Sequence, residues 1–541
     1  MAGGAKEYDY IIVGAGSAGC VLAYRLGAER ANRILVLEAG GPDTDPLIHI
    51  PIGLGKMHEK RAHDWGYDAE PEASLGGREI EAMRGKVVGG SSSINVMAYV
   101  RGHRDDYDRW SRNGAKGWSY REVLPYLRRM ESWEEGADTW RGGDGPLHTQ
   151  RARSKDPLWK AWIEAGKAMG FGFTEDYNGE KQEGFGRSQS TIHMGKRDSA
   201  ARAFLRPAVR RGNVELRTKV HVTRVVMEGN RATGVEFSHL GRTVRVHAAK
   251  EVVLSGGVFN SPQLLMLSGI GPADHLRSVG IEPLVDSPYV GKNLQDHLAV
   301  MVTASRPKAG PFRDAMRFDR MAAAMVQAQL FGTGQATVLP GGLHGFIKTA
   351  PGVEATDIQF LFRGAPGNAH LWFPGVKPAY TDAFGIRPVL LHPKSRGEIL
   401  LRSSDPFDKV RIVQNFFSDP YDLETLKTGV RLARETLFQG AMDAFRGAET
   451  APGGNADIEA WIRRTAITAH HPSCTAPMGE GERAVLDSEC RVKGTERLRV
   501  VDASAMPDLV SGNINAAVLT IAEKVSDHML GRAPLPPAAG A

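Results

Sequence analysis

The stretch YDYIIVGAGSAG, residues 8–19, joins an apolar run to a glycine-rich turn. Within it, Gly14, Gly16 and Gly19 form the pattern GxGxxG. When this pattern follows a strand and opens a helix, the first glycine permits the tight turn and the second lets the backbone approach a pyrophosphate. The third lets the helix pack closely on the strand. The stretch therefore predicts a Rossmann-like βαβ unit, which binds a dinucleotide at the start of its helix.

An acidic residue at the end of the next apolar run supports this interpretation. Ile34–Leu37 reads as a second strand, and Glu38 follows it roughly 20 residues after Gly19, where a carboxylate can accept hydrogen bonds from a ribose. Glycine is common in this chain, with 63 residues, so a purely structural turn is the alternative. The motif alone does not choose between NAD and FAD.

Composition and charge exclude several classes of protein. The chain has 541 residues, of which 42% are hydrophobic and 24% are charged, as expected of a globular protein with two or more domains. Its net charge of +6 is a small excess over 62 acidic residues. Since no dense run of lysine and arginine occurs, we expect no nucleic-acid partner.

Cysteine usage and hydropathy indicate the compartment. Cys20, Cys474 and Cys490 are too few and too widely spaced for a disulfide framework or a structural zinc site. No apolar signal core and no run of about 20 apolar residues is present. The sequence therefore predicts a cytoplasmic protein with no membrane-spanning segment and no metal.

The distribution of strand-like and helix-like runs predicts an α/β fold with two discontinuous domains. Strand–helix units occur near both ends of the chain and around residue 255, while residues 310–460 are richer in strands. The predicted domains are a Rossmann-like cofactor-binding domain from residues 1–155, 200–310 and 465–541, and a substrate-binding domain of antiparallel sheet and helices from residues 156–199 and 311–464.

Two further segments bear on the cofactor. GKVVGGSSSINVMAYVRG, residues 85–102, offers many backbone donors and little side-chain bulk, which suits a segment laid along a flavin and its diphosphate. A flexible linker is the alternative, but the apolar residues that flank the loop favour burial. In GGVFNSPQ, residues 256–263, Ser261 followed by Pro262 predicts the N-cap and first position of a helix.

Eight segments, in order along the chain, resemble the signatures of the glucose–methanol–choline (GMC) flavoprotein oxidoreductases, in their choline dehydrogenase-like and alcohol oxidase-like branch. The segments are VGAGSAG, LEAG, GKVVGGSSSIN with RGHRDDYDRW, GGVFNSPQLLMLSGIGP, VGKNLQDH, HHPSCTAPMG, VVDASAMP and GNINAAVLTIAEK. The resemblance implies FAD and a hydroxyl substrate. Relatives with covalent flavin have a histidine just before the asparagine of the GGSSS-type loop. Because Ile94 stands there, the resemblance implies noncovalent FAD.

The resemblance also implies the residues that line the cofactor. These are Gly14, Gly16, Ser17, Ala18, Gly19, Glu38, Val88, Ser91, Asn95, Val96, Ala98, Val222, Asp502, Ala503, Asn515 and Ala516.

The catalytic pair implied by the resemblance is His471 and Asn515. His471 is expected to remove the hydroxyl proton while hydride passes to the flavin, and Asn515 to donate a hydrogen bond to the substrate oxygen. Alone, His471 would more often be a structural histidine. We expect His470 to pack nearby, not to act as the base, and Cys474 to be structural.

The substrate is the least determined part of the prediction. A primary alcohol is expected, with choline, aryl alcohols and polyols as options, and Phe360, Phe362, Trp372 and Phe373 as aromatic candidates for its pocket. Oxygen or another electron acceptor would reoxidise the flavin, and the oligomeric state stays open. The alternatives are a hydroxynitrile-lyase-type relative without redox activity and an NAD-dependent dehydrogenase.

Overall fold

The computed structural model describes residues 7–540, which form two principal sheets with helices packed around them. The helices are α1 Ser17–Leu26, α2 Pro46–His49, α3 Leu54–Glu59, α4 Arg104–Arg112, α5 Tyr120–Met130, α6 Leu158–Ala168, α7 Arg206–Arg210, α8 Gly257–Leu267, α9 Ala273–Ser278, α10 Pro311–Ala315, α11 Phe318–Phe331, α12 Pro420–Leu437, α13 Ile458–Thr465 and α14 Asn515–Met529.

The strands alternate with these helices along the chain. They are β1 Tyr8–Val13, β2 Ile34–Leu37, β3 Glu131–Trp133, β4 Leu147–Arg151, β5 Gly184–Arg187, β6 Gln189–Ser190, β7 Ile192–His193, β8 Lys196–Arg197, β9 Val214–Arg217, β10 His221–Glu228, β11 Arg231–His239, β12 Arg242–Leu254, β13 Ile270–Gly271, β14 Val285–Asp286, β15 Lys292–Leu294, β16 Leu298–Ala299, β17 Val302–Ser305, β18 Leu343–Ile347, β19 Ile358–Arg363, β20 Ala383–Leu390, β21 Gly397–Leu400, β22 Arg411–Val413, β23 Glu449–Ala451, β24 Ile467–Thr468 and β25 Leu498–Val500.

The first sheet is the Rossmann-like core. Its parallel part runs in the order β25-β12-β1-β2-β9, and β10 and β11 continue it beyond β12 as an antiparallel meander. Every residue of β2 is buried, as expected for a parallel strand covered on both faces. The predicted α/β class and the βαβ unit β1–α1–β2 are confirmed.

Two glycines of the opening motif are required by close backbone contacts. Gly14 has a φ of +102°, and a Cβ on it would lie 2.4 Å from the carbonyl oxygen of Ser255. A Cβ on Gly19 would lie 2.0 Å from the carbonyl oxygen of Gly14. Since real Cβ atoms do not approach so closely, a side chain at either position would push α1 away from the sheet. Gly16 is different, because the nearest atom to its Cβ would be 3.8 Å away.

The second sheet is antiparallel and follows the order β23-β17-β20-β19-β18-β5, with β16 joining β20 to β24. This confirms the predicted antiparallel sheet. The domain limits stay a prediction, and we propose one adjustment to them. β16, β17 and β24 lie in segments assigned above to the cofactor domain, yet they pair within the second sheet. We therefore place those two boundaries near residues 297 and 469.

The start of α8 differs from the sequence prediction. Ser261 is not an N-cap, because α8 begins at Gly257 and contains Pro262 in its interior. A proline at that position cannot donate to the carbonyl of Val258, four residues earlier. The hydroxyl of Thr475 donates to that carbonyl instead, at 2.7 Å. Thr475, far away in sequence, thus provides the hydrogen bond to Val258 that Pro262 cannot donate.

We predict that Thr475→Val destabilises the protein by about 1–3 kcal/mol, because it leaves the buried carbonyl of Val258 without a donor. Thermal unfolding of the flavin-loaded protein measures the effect as a lower Tm. Thr475→Ser keeps the hydroxyl and is the control. Equal Tm values for the valine and serine variants would contradict the prediction.

Candidate active site

A cavity of about 1780 Å³ lies between the two sheets. Val13 and Leu37, at the carboxyl ends of β1 and β2, line one side, and Leu361, on the second sheet, lines the other. Ligands of open α/β sheets bind at this end of the strands. Most of the predicted cofactor-lining residues border the cavity: Gly14, Gly16, Ser17, Ala18, Glu38, Ser91, Asn95, Val96, Ala98, Val222, Asp502, Ala503 and Asn515.

Three predicted residues do not border the cavity. Gly19 faces Gly14 inside the helix–strand contact, and Val88 is buried with its carbonyl accepting from the hydroxyl of Ser93. Ala516 is buried in the first turn of α14. Gly19 and Val88 support the backbone around the cavity.

Glu38 closes one end of the cavity. Its two carboxylate oxygens accept from the amides of Ala15, at 2.9 Å, and Gly40, at 2.7 Å. Burial raises the pKa of Glu38 to about 7. The side chain of Glu38 is therefore fixed at the end of β2. This is where the dinucleotide-binding motif has a carboxylate that accepts a hydrogen bond from the ribose.

The middle of the cavity fits the diphosphate of FAD. A Cβ on Gly90 would lie 2.8 Å from the Cα of Gly16, so two glycine backbones meet there without side chains. The N-terminus of α1 opens beside them. The hydroxyl of Ser17 donates to the side-chain oxygen of Asn515 at 2.7 Å, which places the N-terminus of α14 next to that of α1. Two helix N-termini, whose first amides have no acceptor within their own helix, favour an anionic group.

Asp502 and Asn95 make hydrogen bonds that join the segments around this part of the cavity. Asp502 accepts from the amide of Gly257 at 2.8 Å and from the hydroxyl of Ser261 at 2.6 Å, so it ties β25 to the start of α8. The side-chain oxygen of Asn95 accepts from the amide of Met97 and from the guanidinium of Arg197.

His471 lies at the other end of the cavity, where it is 7% exposed. Its Nδ1 is 2.9 Å from Nδ1 of His297, and its Nε2 is 2.9 Å from the side-chain nitrogen of Asn513. Both Asn513 and His471 border the cavity. The reactive end of the site is therefore an imidazole held between a second imidazole and an amide.

A chain of hydrogen bonds fixes the tautomer of His471. Nε2 of His297 is 3.0 Å from the carbonyl oxygen of Leu391, which can only accept, so this nitrogen carries the proton. In neutral His297, Nδ1 is then an acceptor. Nδ1–H of His471 must donate to it, which leaves the lone pair of His471 on Nε2. That nitrogen faces Asn513 and the cavity.

Burial keeps both imidazoles neutral. It lowers the pKa of His297 to about 3. The pKa of His471 is held well below its usual range, first by burial and then by His297, His470 and Arg84. Neutral His471 is the state that a general base requires.

The segment NLQDH, residues 293–297, makes hydrogen bonds that fix the backbone around His471. The side chain of Asp296 accepts from the amide of His471 at 2.9 Å and from the hydroxyl of Thr468. The backbone of Gln295 exchanges hydrogen bonds with Ser473 on the other side of His471. Asp296 and His297 were missed in the sequence, although the motif that contains them was recognised.

The structure does not bring Asn515, the predicted partner, into contact with His471. Asn515 begins α14 and turns to Ser17, whereas Asn513, in the preceding turn, contacts His471. Only two residues separate the amides, so their sequence context is nearly the same. Gly512, with a φ of +88°, makes the turn that carries Asn513.

Asp106 anchors that turn. Its side chain accepts from the amide of Ser511 at 2.7 Å and from the Ser511 hydroxyl at 3.1 Å. Trp110 donates to the carbonyl of Asp508 at 2.8 Å. The RGHRDDYDRW motif therefore positions the loop that leads to Asn513.

His470 and Cys474 do not take part in this arrangement. His470 has a φ of +63°, and its carbonyl accepts from Arg84. Its Nδ1 is buried without a hydrogen-bond partner among residues 7–540. The thiol of Cys474 is fully buried, which holds its pKa far above the usual range, so it is not a nucleophile. Within the described chain, no group of three or more His, Cys, Asp or Glu side chains is arranged to hold a metal ion.

We predict that His297→Leu slows flavin reduction by an alcohol roughly 10-fold, because neither nitrogen of His471 is then favoured as the protonated one. Anaerobic stopped-flow separates the limiting rate, which should fall, from the apparent Kd, which should not. His297→Asn offers an oxygen near the position of Nδ1 and should recover part of the rate. A leucine variant as fast as the wild type would contradict the assigned tautomer.

The chain is similar in sequence to a known family and to several relatives. Residues 8–299 and 393–522 match the sequence profiles of the GMC oxidoreductases. An oxygen-dependent choline dehydrogenase from Sinorhizobium medicae (strain WSM419) is 45% identical over 98% of this chain and 96% of its own length. One from Brucella ovis is 44% identical over 98% and 96% of the two chains.

Solved structures are also similar to this chain over nearly its whole length. Pyridoxine 4-oxidase from Mesorbium loti has a TM-score of 0.87 and 31% identity, covering 97% of this chain and 100% of its own. Formate oxidase from Aspergillus oryzae RIB40, in a variant studied for its effect on FAD modification, has a TM-score of 0.88 and 27% identity, covering 97% and 98%. Among the helices of residues 7–540, none has the length and apolar character needed to cross a membrane.

Proposed function

Because this chain belongs to the GMC oxidoreductases and is an FAD-dependent alcohol oxidoreductase, we propose that His471 is its catalytic base and Asn513 the residue that holds the substrate oxygen. The observation that carries the proposal is the hydrogen-bond chain from Leu391 through His297 to His471. It leaves a lone pair on the nitrogen that faces the cavity.

A substrate hydroxyl can replace the contact between His471 and Asn513. These two side chains offer a lone pair and an N–H group 2.9 Å apart. The hydroxyl would donate its proton to Nε2 of His471 and accept a hydrogen bond from the Asn513 amide. As the proton moves to His471, Asn513 stabilises the developing alkoxide. FAD, when bound, supplies the acceptor for the hydride of the carbinol carbon.

The imidazolium formed in this step is costly in its surroundings. Burial lowers the pKa of His471, and the neighbouring charges of His297, His470, Arg84 and Arg387 lower it further, so the enzyme holds the added proton weakly. This favours rapid loss of the proton after the aldehyde or ketone has formed.

We also propose that FAD is held noncovalently and that the substrate is a primary alcohol. Ile94, buried beside the GGSSS loop, has no nucleophile for a covalent link. The similarity to choline dehydrogenases makes choline a candidate. Of the aromatic candidates, Phe362 borders the cavity, whereas Phe360 is buried in the sheet and Trp372 donates to the carbonyl of Arg313.

The proposal also covers the acceptor that reoxidises the flavin and the cellular compartment of the protein. Oxygen is proposed as the acceptor, and anaerobic bleaching followed by admission of air tests this, since fast recolouring requires an oxidase. A reducing, cytoplasmic compartment is proposed because the thiols of Cys20, Cys474 and Cys490 are all free and buried.

We predict that His471→Ala loses at least about 100-fold in the rate of anaerobic flavin reduction by an alcohol while retaining its FAD, because the base is absent. Flavin absorbance reports both quantities. A near-normal rate would refute the assignment. Cleavage of a cyanohydrin by wild-type protein whose flavin no alcohol bleaches would instead identify the hydroxynitrile-lyase alternative.

The two asparagines give a matched pair of variants. We predict that Asn513→Ala lowers the limiting reduction rate about 10- to 100-fold with little loss of FAD, since the alkoxide loses its donor. Asn515→Ala should weaken FAD retention, because the contact with Ser17 joins the two helix N-termini. The reverse pattern would restore Asn515 as the catalytic partner.

A further inference from the structure

We propose that Arg363 and Arg387 form an anion-binding site on the substrate side of the cavity, so that the preferred alcohol carries a carboxylate or a similar anionic group. This proposal rests on the alcohol oxidation proposed above and narrows its substrate class.

Strand register brings the two guanidinium groups together. Arg387 on β20 lies opposite Leu361 on β19, and Arg363 is two residues further along β19. Because alternate residues of a strand share a face, Leu361, Arg363 and Arg387 point to the same side of the sheet. Diagonal neighbours of this kind are roughly 7–8 Å apart at Cα, within reach of one ligand for side chains as long as arginine. All three residues border the cavity.

Neither guanidinium has a counter-ion. Within residues 7–540, the side chains of Arg363 and Arg387 make no hydrogen bond and no ion pair, and Nε of Arg387 is a buried donor without an acceptor. Several buried arginines of this protein are paired with carboxylates. Arg141, for example, binds the carboxylates of Glu131 and Asp176. Arg387 is half-buried and Arg363 is exposed at the cavity wall. A partly buried charge without a partner is costly, so the unpaired Arg387, with Arg363 beside it and open to the cavity, indicates that a ligand supplies the negative charge.

The surroundings of the pair are cationic. Partial desolvation in the cavity lowers the pKa of both arginines, and Arg363 further lowers that of Arg387, to about 10, while no carboxylate raises either. The carboxylates that border the cavity lie elsewhere or are engaged. Glu38 and Asp502 accept from backbone amides at the cofactor end, and Glu59 pairs with Lys56. Glu81 lies in another segment, whose backbone pairs with that of Asp68.

The pair is also close to the base. Arg387 lowers the pKa values of both His470 and His471, which requires it to lie near the reactive end of the cavity. The diphosphate cradle is on the opposite sheet, at Gly16 and Gly90. An alcohol whose hydroxyl meets His471 could thus place an anionic group on the arginines. The quaternary ammonium of choline would meet like charges there.

A series of benzyl alcohols that differ in charge tests the proposal. The probes are 4-(hydroxymethyl)benzoate, 4-methylbenzyl alcohol and 4-(trimethylammonio)benzyl alcohol, with flavin reduction followed anaerobically. The wild type should prefer the anion in kcat/KM by 10-fold or more over the neutral probe and should act least well on the cation. Equal use of the anionic and neutral probes, or preference for the cation, would overturn the proposal.

Variants of the two arginines test whether these residues cause the preference for the anionic probe. Arg363→Gln should reduce kcat/KM for the anion about 10- to 100-fold, the range for a hydrogen bond to a charged group, and change the neutral probe less than 3-fold. Arg387→Gln should lower the ratio of kcat/KM for the anionic probe to that for the neutral probe about 10-fold or more; the ratio is compared because Arg387 also affects the pKa of His471. Arg387→Lys should keep much of the preference. Arg431→Gln, at a side chain that is 67% exposed, is the matched control. Equal losses on the anionic and neutral probes would mean that the arginines act on the flavin, against the proposal.

A binding measurement separates this proposal from the assignment of the base. 4-Methylbenzoate has no hydroxyl, so its titration against flavin absorbance reports binding alone. It should bind wild-type and His471→Ala protein with similar Kd and bind Arg363→Gln/Arg387→Gln protein at least 10-fold more weakly. An unchanged Kd in the double variant, with FAD content and circular dichroism intact, would refute the anion site whatever the role of His471.

Discussion

The hydrogen bond between Nδ1 of His297 and Nδ1 of His471 is the contact on which the active site depends. Two neutral imidazoles can share one such bond only if exactly one of them carries its proton there, and the Leu391 carbonyl decides which. Burial favours this state, because it makes protonation of either ring costly. The carbonyl of Leu391, one residue beyond the end of β20, thus determines that the nitrogen of His471 facing the substrate carries the lone pair.

Motifs that are far apart in the chain serve this contact. NLQDH supplies Asp296 and His297, HHPSC supplies His471, and RGHRDDYDRW holds the turn that carries Asn513. None of these segments is catalytic alone. Their order along the chain made the family recognisable, and the structure shows that several of them act by fixing the backbone of their neighbours.

The sequence predicted the features that depend on local chemistry. Gly14 and Gly19 are required by contacts within one βαβ unit, and His471 lies in a distinctive short segment. Asn513 and Asn515 could not be told apart, because one turn of backbone decides which amide faces the base. Ser261 looked like a helix cap because the donor that allows Pro262 inside α8 comes from Thr475, over 200 residues away in the chain. Arg363 and Arg387 meet only through strand register, which no local pattern reveals.

The pairing of α1 with α14 has a consequence for biosynthesis. Ser17 and Asn515 join the two helix N-termini, and Arg25 and Glu523 join the helices further along, so two segments that lie 498 residues apart in sequence form one wall of the cofactor site. The ribosome makes α14 long after α1, since 498 residues separate Ser17 from Asn515. The nascent protein therefore holds an incomplete nucleotide fold until α14 has been made. A prematurely terminated chain would lack both α14 and Asn513, and so could not become a partly active oxidant in the cell.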